Sequence, residues 1–204
     1  DNPVIPASGT FGFGYEFNDF YDINILGSIA LKGTTKEARF GNPTPRIAEC
    51  TEGLLNSVGL QNPGVEKVVG EELPKLKKVF RKKAIANVSG FSVEEYVYTA
   101  ALLDREEQIG LIELNVSCPN VHAGGMSFGV EPEKVEEVTR AVKSAVRKPL
   151  YVKLTPNVAD IAATARAAER GGADGLALIN TLLGMRIGLK TRKPAVSYTP
   201  LRAH

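Results

Sequence analysis

Near the middle of the chain an apolar stretch, "LNV", runs into "SCPNVHAGG". That puts Cys118 beside Pro119, between the carboxamides of Asn115 and Asn120, and just before Gly124 and Gly125. A free cysteine is often simply a small buried residue. A thiolate held at the mouth of a strand can instead act as a base or a nucleophile, once its pKa falls from about 8.5. The flanking amides need partners if buried, and the paired glycines supply a loop able to close over a ligand. There is no C-x₂-C pair and His122 stands in the glycine-rich loop, which argues against zinc.

Asparagine recurs at the ends of other apolar runs and in an intervening segment, at Asn56, Asn87 and Asn180. Each alone is most often a turn former. Together on one face they would offer alternating donors and acceptors, which suits a planar ligand of carbonyls and N–H groups such as a pyrimidine or a flavin. Lys32 and Lys153 each close an apolar strand. Beside a flavin, a lysine could stabilise negative charge on the reduced ring.

These residues need a scaffold that brings strand ends together. From Lys83 onward the chain alternates "KAIANVSG", "GLIELNV", "PLYVKL" and "GLALIN" as strands with "SVEEYVYTAALLD", "VEPEKVEEVTRAVKSAV" and "NVADIAATARAAERGG" as helices. Ser92 and Glu95 are spaced as a capping box, and Val135, Val138, Val142 and Val146 share one helical face. "PVIPASG" and "SIALKG" read as two earlier strands, giving six. Residues 34–64 read as an insertion of the kind that lines a site. No G-x-G-x-x-G follows a strand, and Gly12 and Gly14 supply only a fragment of it. Ser8, Lys32, Asn87, Asn115, Lys153 and Asn180 each end an apolar run. This favours an α/β fold of the (β/α)₈ TIM-barrel type, in which all strand C-termini meet on one face. About six βα units are expected.

Composition sets broader limits. The 204 residues, 43% apolar and 24% charged, are ordinary for a globular chain. Lys plus Arg is 25 and Asp plus Glu 23, a net charge of +2, which gives no support to a nucleic-acid partner. No apolar run reaches the roughly 18–20 residues of a membrane span. With two cysteines, Cys50 and Cys118, and no signal-peptide pattern, a cytoplasmic location is expected.

"NVSCPN", "ALKGTT", "NSVGLQNPG", "YVKLTP" and "LINTLLGM", in this order over about Pro3 to Pro194, resemble class 1 dihydroorotate dehydrogenase, most closely the 1B, NAD-linked type. The resemblance implies oxidation of (S)-dihydroorotate to orotate in pyrimidine biosynthesis, with FMN in this subunit. It implies Cys118 as the base that takes the C5 proton. It implies orotate contacts from Lys32, Asn56, Ser57, Val58, Gly59, Leu60, Asn115, Asn120, Asn180 and Thr181. FMN contacts would come from Ser8, Lys32, Gly33, Asn87, Asn115, Lys153 and Ile179. It further implies a partner subunit carrying FAD and a [2Fe–2S] cluster, around a homodimeric core. A barrel of dihydropyrimidine dehydrogenase type, which shares Asn-x-x-Cys-Pro, and a non-catalytic fragment are the competing readings. Set against the family, six strands leave the later phosphate-holding loops unaccounted for. A single domain, C-terminally incomplete, with residues 195–204 as a non-family tail, is therefore expected.

Overall fold

The computed structural model describes residues 2–51, 53–117 and 128–196, together with the backbone of 202–203. Among the described residues there are eight strands: β1 (Ile47–Cys50), β2 (Gly53–Asn56), β3 (Ala84–Val88), β4 (Ile109–Asn115), β5 (Leu150–Lys153), β6 (Gly175–Ala177), β7 (Leu182–Leu183) and β8 (Arg202–Ala203). The helices are α1 (Val65–Lys67), α2 (Leu73–Val79), α3 (Val93–Asp104), α4 (Pro132–Ala145) and α5 (Ile161–Arg170). A π-helical turn, Val68–Glu72, joins α1 to α2.

The central sheet is parallel, in the order β3-β4-β5-β6, and consecutive strands are joined through α3, α4 and α5. On the outer side of β3 the "SIALKG" stretch adds parallel bridges, Ala30 to Ile85 and Thr34 to Val88. Spatial order thus follows chain order throughout, with no reversal of the kind that creates the crevice of a doubly wound sheet. Right-handed crossovers in one direction place the connecting helices on one side, and α3, α4 and α5 pack side by side accordingly. This is a section of barrel wall.

Local chemistry explains the helices. Ser92 Oγ accepts from the Glu95 N–H at the start of α3, and Asp160 caps α5 through the Ala163 N–H. Pro132 opens α4, which buries Val135, Val138 and Val142 against the sheet. In β4, Ile112 and Leu114 are fully buried towards the helices, while Glu113 and Asn115 take the opposite face.

The two N-terminal strands expected from sequence require correction. "PVIPASG" forms no strand: it runs beside Gly27 and Ala30 through single bonds from their N–H groups to Val4 O and Pro6 O. Pro3 and Pro6 have no N–H to give a ladder. "SIALKG" keeps its place next to β3 but as isolated bridges only. The insertion folds as an antiparallel hairpin, β1 with β2, extended by β8 and β7. Its neck is closed by Arg39 and Asn62, which exchange N–H to O bonds of 2.8 and 3.1 Å. Residues 202–203, within the stretch expected to be a tail, lie between β2 and β7.

Candidate active site

Parallel register decides which side chains meet. Asn87 on β3 stands level with Glu113 on β4, and Asn115 on β4 with Lys153 on β5. With a side-chain period of two, all four share the sheet face opposite the helices. The chain then leaves the sheet at each of these ends, and the exits surround a cavity of about 520 Å³. That lies within the roughly 300–1,000 Å³ of small-molecule sites.

Most of the residues expected at a site line this cavity. Ser8 comes from the N-terminal loop, Lys32 and Gly33 from the bridge segment, and Asn87, Asn115 and Lys153 from the sheet. Asn56, Ser57, Val58, Gly59 and Leu60 enter from β2 and the loop after it, and Asn180 and Thr181 follow β6. Ile179, also expected at the cofactor, is not among the lining residues and is 44% exposed. Its neighbours Leu154 and Asn180 are tied together by a backbone bond, and Asn180 takes the place on the cavity wall. Cys118 and Asn120 lie outside the described residues. Ser117, immediately before Cys118, is held by bonds from its N–H to Asn115 Oδ1 and from its hydroxyl to Lys153 O.

The amides are ordered by one another. Asn115 Oδ1 accepts from Ser117 N at 3.1 Å and from Asn180 Nδ2 at 2.9 Å. Asn115 therefore has its NH₂ group to offer a ligand. Asn180 Oδ1 in turn accepts from the N–H and hydroxyl of Thr181. Beneath, Tyr96 is fully buried and donates its hydroxyl to the Asn115 carbonyl at 2.9 Å. The ring of Phe128 meets Tyr96 edge-on at 5.5 Å.

Several lining residues carried no recognisable signal in the sequence. Gly9, Thr10 and Gly12 line the cavity, and Gly9 and Gly12 have positive φ. Arg39 packs its guanidinium over Phe91 at 4.6 Å, and Arg46 bonds the carbonyls of Phe40 and Asn42 and the side chain of Gln61. Among the described residues, every charged one lining the cavity is basic: Lys32, Arg39, Arg46 and Lys153. The carboxylate near them is Glu113, 3.9 Å from the Lys153 ammonium. Such a wall favours an anionic occupant.

A fit to flavin and pyrimidine can be tested on the polar atoms. Among the described residues, Asn56 Nδ2, a donor, and Asn87 Oδ1, an acceptor, are buried without a partner, as is Ser89 Oγ behind Gly33. Such atoms are costly to bury unless something bonds them. At Gly33 an added Cβ would come within 2.8 Å of Asn87 Oδ1, so no side chain fits there without displacing that amide. Unpaired donor, unpaired acceptor and basic wall match a planar, anionic heterocycle.

The comparisons agree with this geometry. The family profile described as Dihydroorotate dehydrogenase matches residues 1–199. Relatives named dihydroorotate dehydrogenase B (NAD(+)), catalytic subunit, include one from Enterococcus faecalis, 56% identical over 96% of this chain and 63% of its own length. Another, from Shouchella clausii, is 55% identical over 96% of this chain and 64% of its own. The chain thus spans just under two thirds of the length of these relatives. A crystal structure of DHODH from Eimeria tenella in complex with ferulenol superposes with a TM-score of 0.68 at 19% identity, covering 89% of this chain and 57% of that one. At that identity it supports the fold alone, an α/β barrel of which this chain forms part of the wall. With the sheet order, the amide-lined cavity and a profile match over nearly the whole length, the chain belongs to the dihydroorotate dehydrogenase family.

Proposed function

We propose that this chain oxidises (S)-dihydroorotate to orotate, as the catalytic subunit of an NAD-linked enzyme of pyrimidine biosynthesis in the cytoplasm. The observation that supports it best is the convergence of Lys32, Asn56, Asn87, Asn115, Lys153 and Asn180 on one cavity whose charged lining is basic throughout the described residues. In the reaction a C5 proton and a C6 hydride leave the substrate and a C5=C6 double bond forms. FMN, when bound, supplies a two-electron acceptor for that hydride. Cys118, carried over from the family resemblance, takes the proton as a general base.

The remaining residues bind and orient. The Asn115 NH₂ group and Asn56 Nδ2 donate to substrate carbonyls, and Lys32 and the backbone of 56–60 hold its carboxylate. Asn87, Lys153, Ser8 and Gly33 would hold the cofactor. The word "subunit" in the relatives' names supports a partner. We assign to that partner FAD and a [2Fe–2S] cluster passing electrons to NAD⁺, on a homodimeric core.

The test is to titrate the chain with FMN and with orotate, then add dihydroorotate anaerobically and follow flavin bleaching. Dihydroorotate should bleach it and dihydrouracil should not. Bleaching by dihydrouracil would favour the dihydropyrimidine dehydrogenase reading. Rapid electron transfer to fumarate without a partner would refute the NAD-linked assignment.

A further inference from the structure

We propose that Glu113 is a positioning residue that dictates which end of the Asn87 amide faces the cavity, making this point of the wall an acceptor for an N–H group of the bound heterocycle. The inference rests on the flavin reading above for the identity of the ligand, but not for the orientation of the amide. Glu113 is 8% exposed and lies on the sheet face it shares with Asn87, Asn115 and Lys153. Asn87, level with it, is 1% exposed and donates from Nδ2 to Glu113 Oε1 at 2.5 Å.

A carboxylate can only accept, so the amide atom turned towards it must be nitrogen. The other end, Oδ1, is then necessarily turned away from Glu113. There it stands, buried and without a partner among the described residues, beside cavity-lining Gly33. Gly33 has no side chain to cover it, and Ser89 Oγ, also unpartnered, stands 3.6 Å from where a Gly33 Cβ would be. An acceptor held this way selects a ligand presenting N–H, such as the imide of a flavin or pyrimidine ring, and disfavours one presenting a carbonyl there. The same carboxylate lies 3.9 Å from Lys153 Nζ, so one buried anion fixes both an amide and a cation of the wall.

The experiment is NMR of the 204-residue chain with labelled asparagine side chains, for wild type, Glu113→Gln and Glu113→Ala, each before and after FMN titration. Asn87 is assigned by its loss in Asn87→Asp. In wild type one Asn87 amide proton should lie downfield and exchange at least tenfold more slowly than those of exposed asparagines. Glu113→Ala should abolish both properties and raise the FMN Kd at least tenfold. Glu113→Gln, whose oxygen can still accept, should show a smaller downfield shift and an intermediate Kd. It carries the test if Glu113→Ala does not fold. An Asn87 resonance unchanged in the folded variant overturns the proposal. So does an unchanged FMN affinity in a variant that has lost the resonance. If the resonance responds as expected and wild type binds no flavin, the flavin reading fails and the positioning role stands.

Discussion

Gly33→Ala probes the site through one methyl group. Built on the existing backbone, the new Cβ would lie 2.8 Å from Asn87 Oδ1 and 3.0 Å from Leu60 Cδ1. Ordinary contact begins at 3.4 Å, so the oxygen must retreat by about 0.6 Å. Leu60 has a flexible end and can yield. Asn87 is pinned at its other end by the 2.5 Å bond to Glu113, and retreat would disturb that charge-assisted bond. Overpacking of this kind costs about 1–3 kcal/mol. For a chain of this length each kcal/mol lowers Tm by roughly 2–4 °C, so a drop of about 2–12 °C is expected. The methyl also projects where a ligand would contact Asn87, and a similar penalty in binding corresponds to about 5- to 150-fold in Kd. Thermal unfolding and FMN titration read the two effects. Gly70→Ala is the control: a Cβ there meets nothing within 4 Å, so it should be neutral or stabilising by up to about 1 kcal/mol. A Gly33→Ala protein that melts within about 1 °C of wild type and binds FMN equally well would refute the reasoning, because Asn87 would then not be held.

Three further outcomes are expected. Tyr96→Phe, which removes the bond to the Asn115 carbonyl from a fully buried site, should cost about 1–2 kcal/mol in urea unfolding and loosen the backbone at Asn115. For Asp104, burial alone would raise the pKa, but the N–H groups of Lys148 and Arg147 and their charges outweigh it and hold the carboxyl below its usual value. A depressed folded pKa gives stability that is complete above the unfolded value of about 3.9 and is lost as pH falls through the folded one. Asp104→Asn should therefore be less stable at neutral pH and lose less on acidification; equal acid sensitivity by circular dichroism would count against it. Cys118→Ala should slow flavin reduction by dihydroorotate roughly 10²- to 10⁴-fold with orotate affinity little changed, and wild-type speed would place the base elsewhere.

What the sequence by itself determined is what short-range periodicity and capping can carry. The valine stripe of α4, the Ser92 cap and the apolar runs of β3 to β6 are local signals, and each element forms where its pattern lies. The lysines and asparagines that end those runs were visible for the same reason, since a polar residue closing an apolar strand needs no tertiary context to be noticed. Tertiary structure decided which side chains meet. "SIALKG" has a strand's composition, yet only bridges form, because ladder bonding depends on a neighbour and not on propensity. Arg39 and Arg46 join the site only because the neck at Asn62 and the β1–β2 hairpin turn the insertion over the strand ends. Glu113 is one polar letter inside an apolar run. Only parallel register sets it level with Asn87, 26 residues earlier, and diagonally within reach of Lys153, 40 residues later. Contacts across such separations require whole βα units to close first, and nothing within a turn or two of a residue encodes where that closure will leave it.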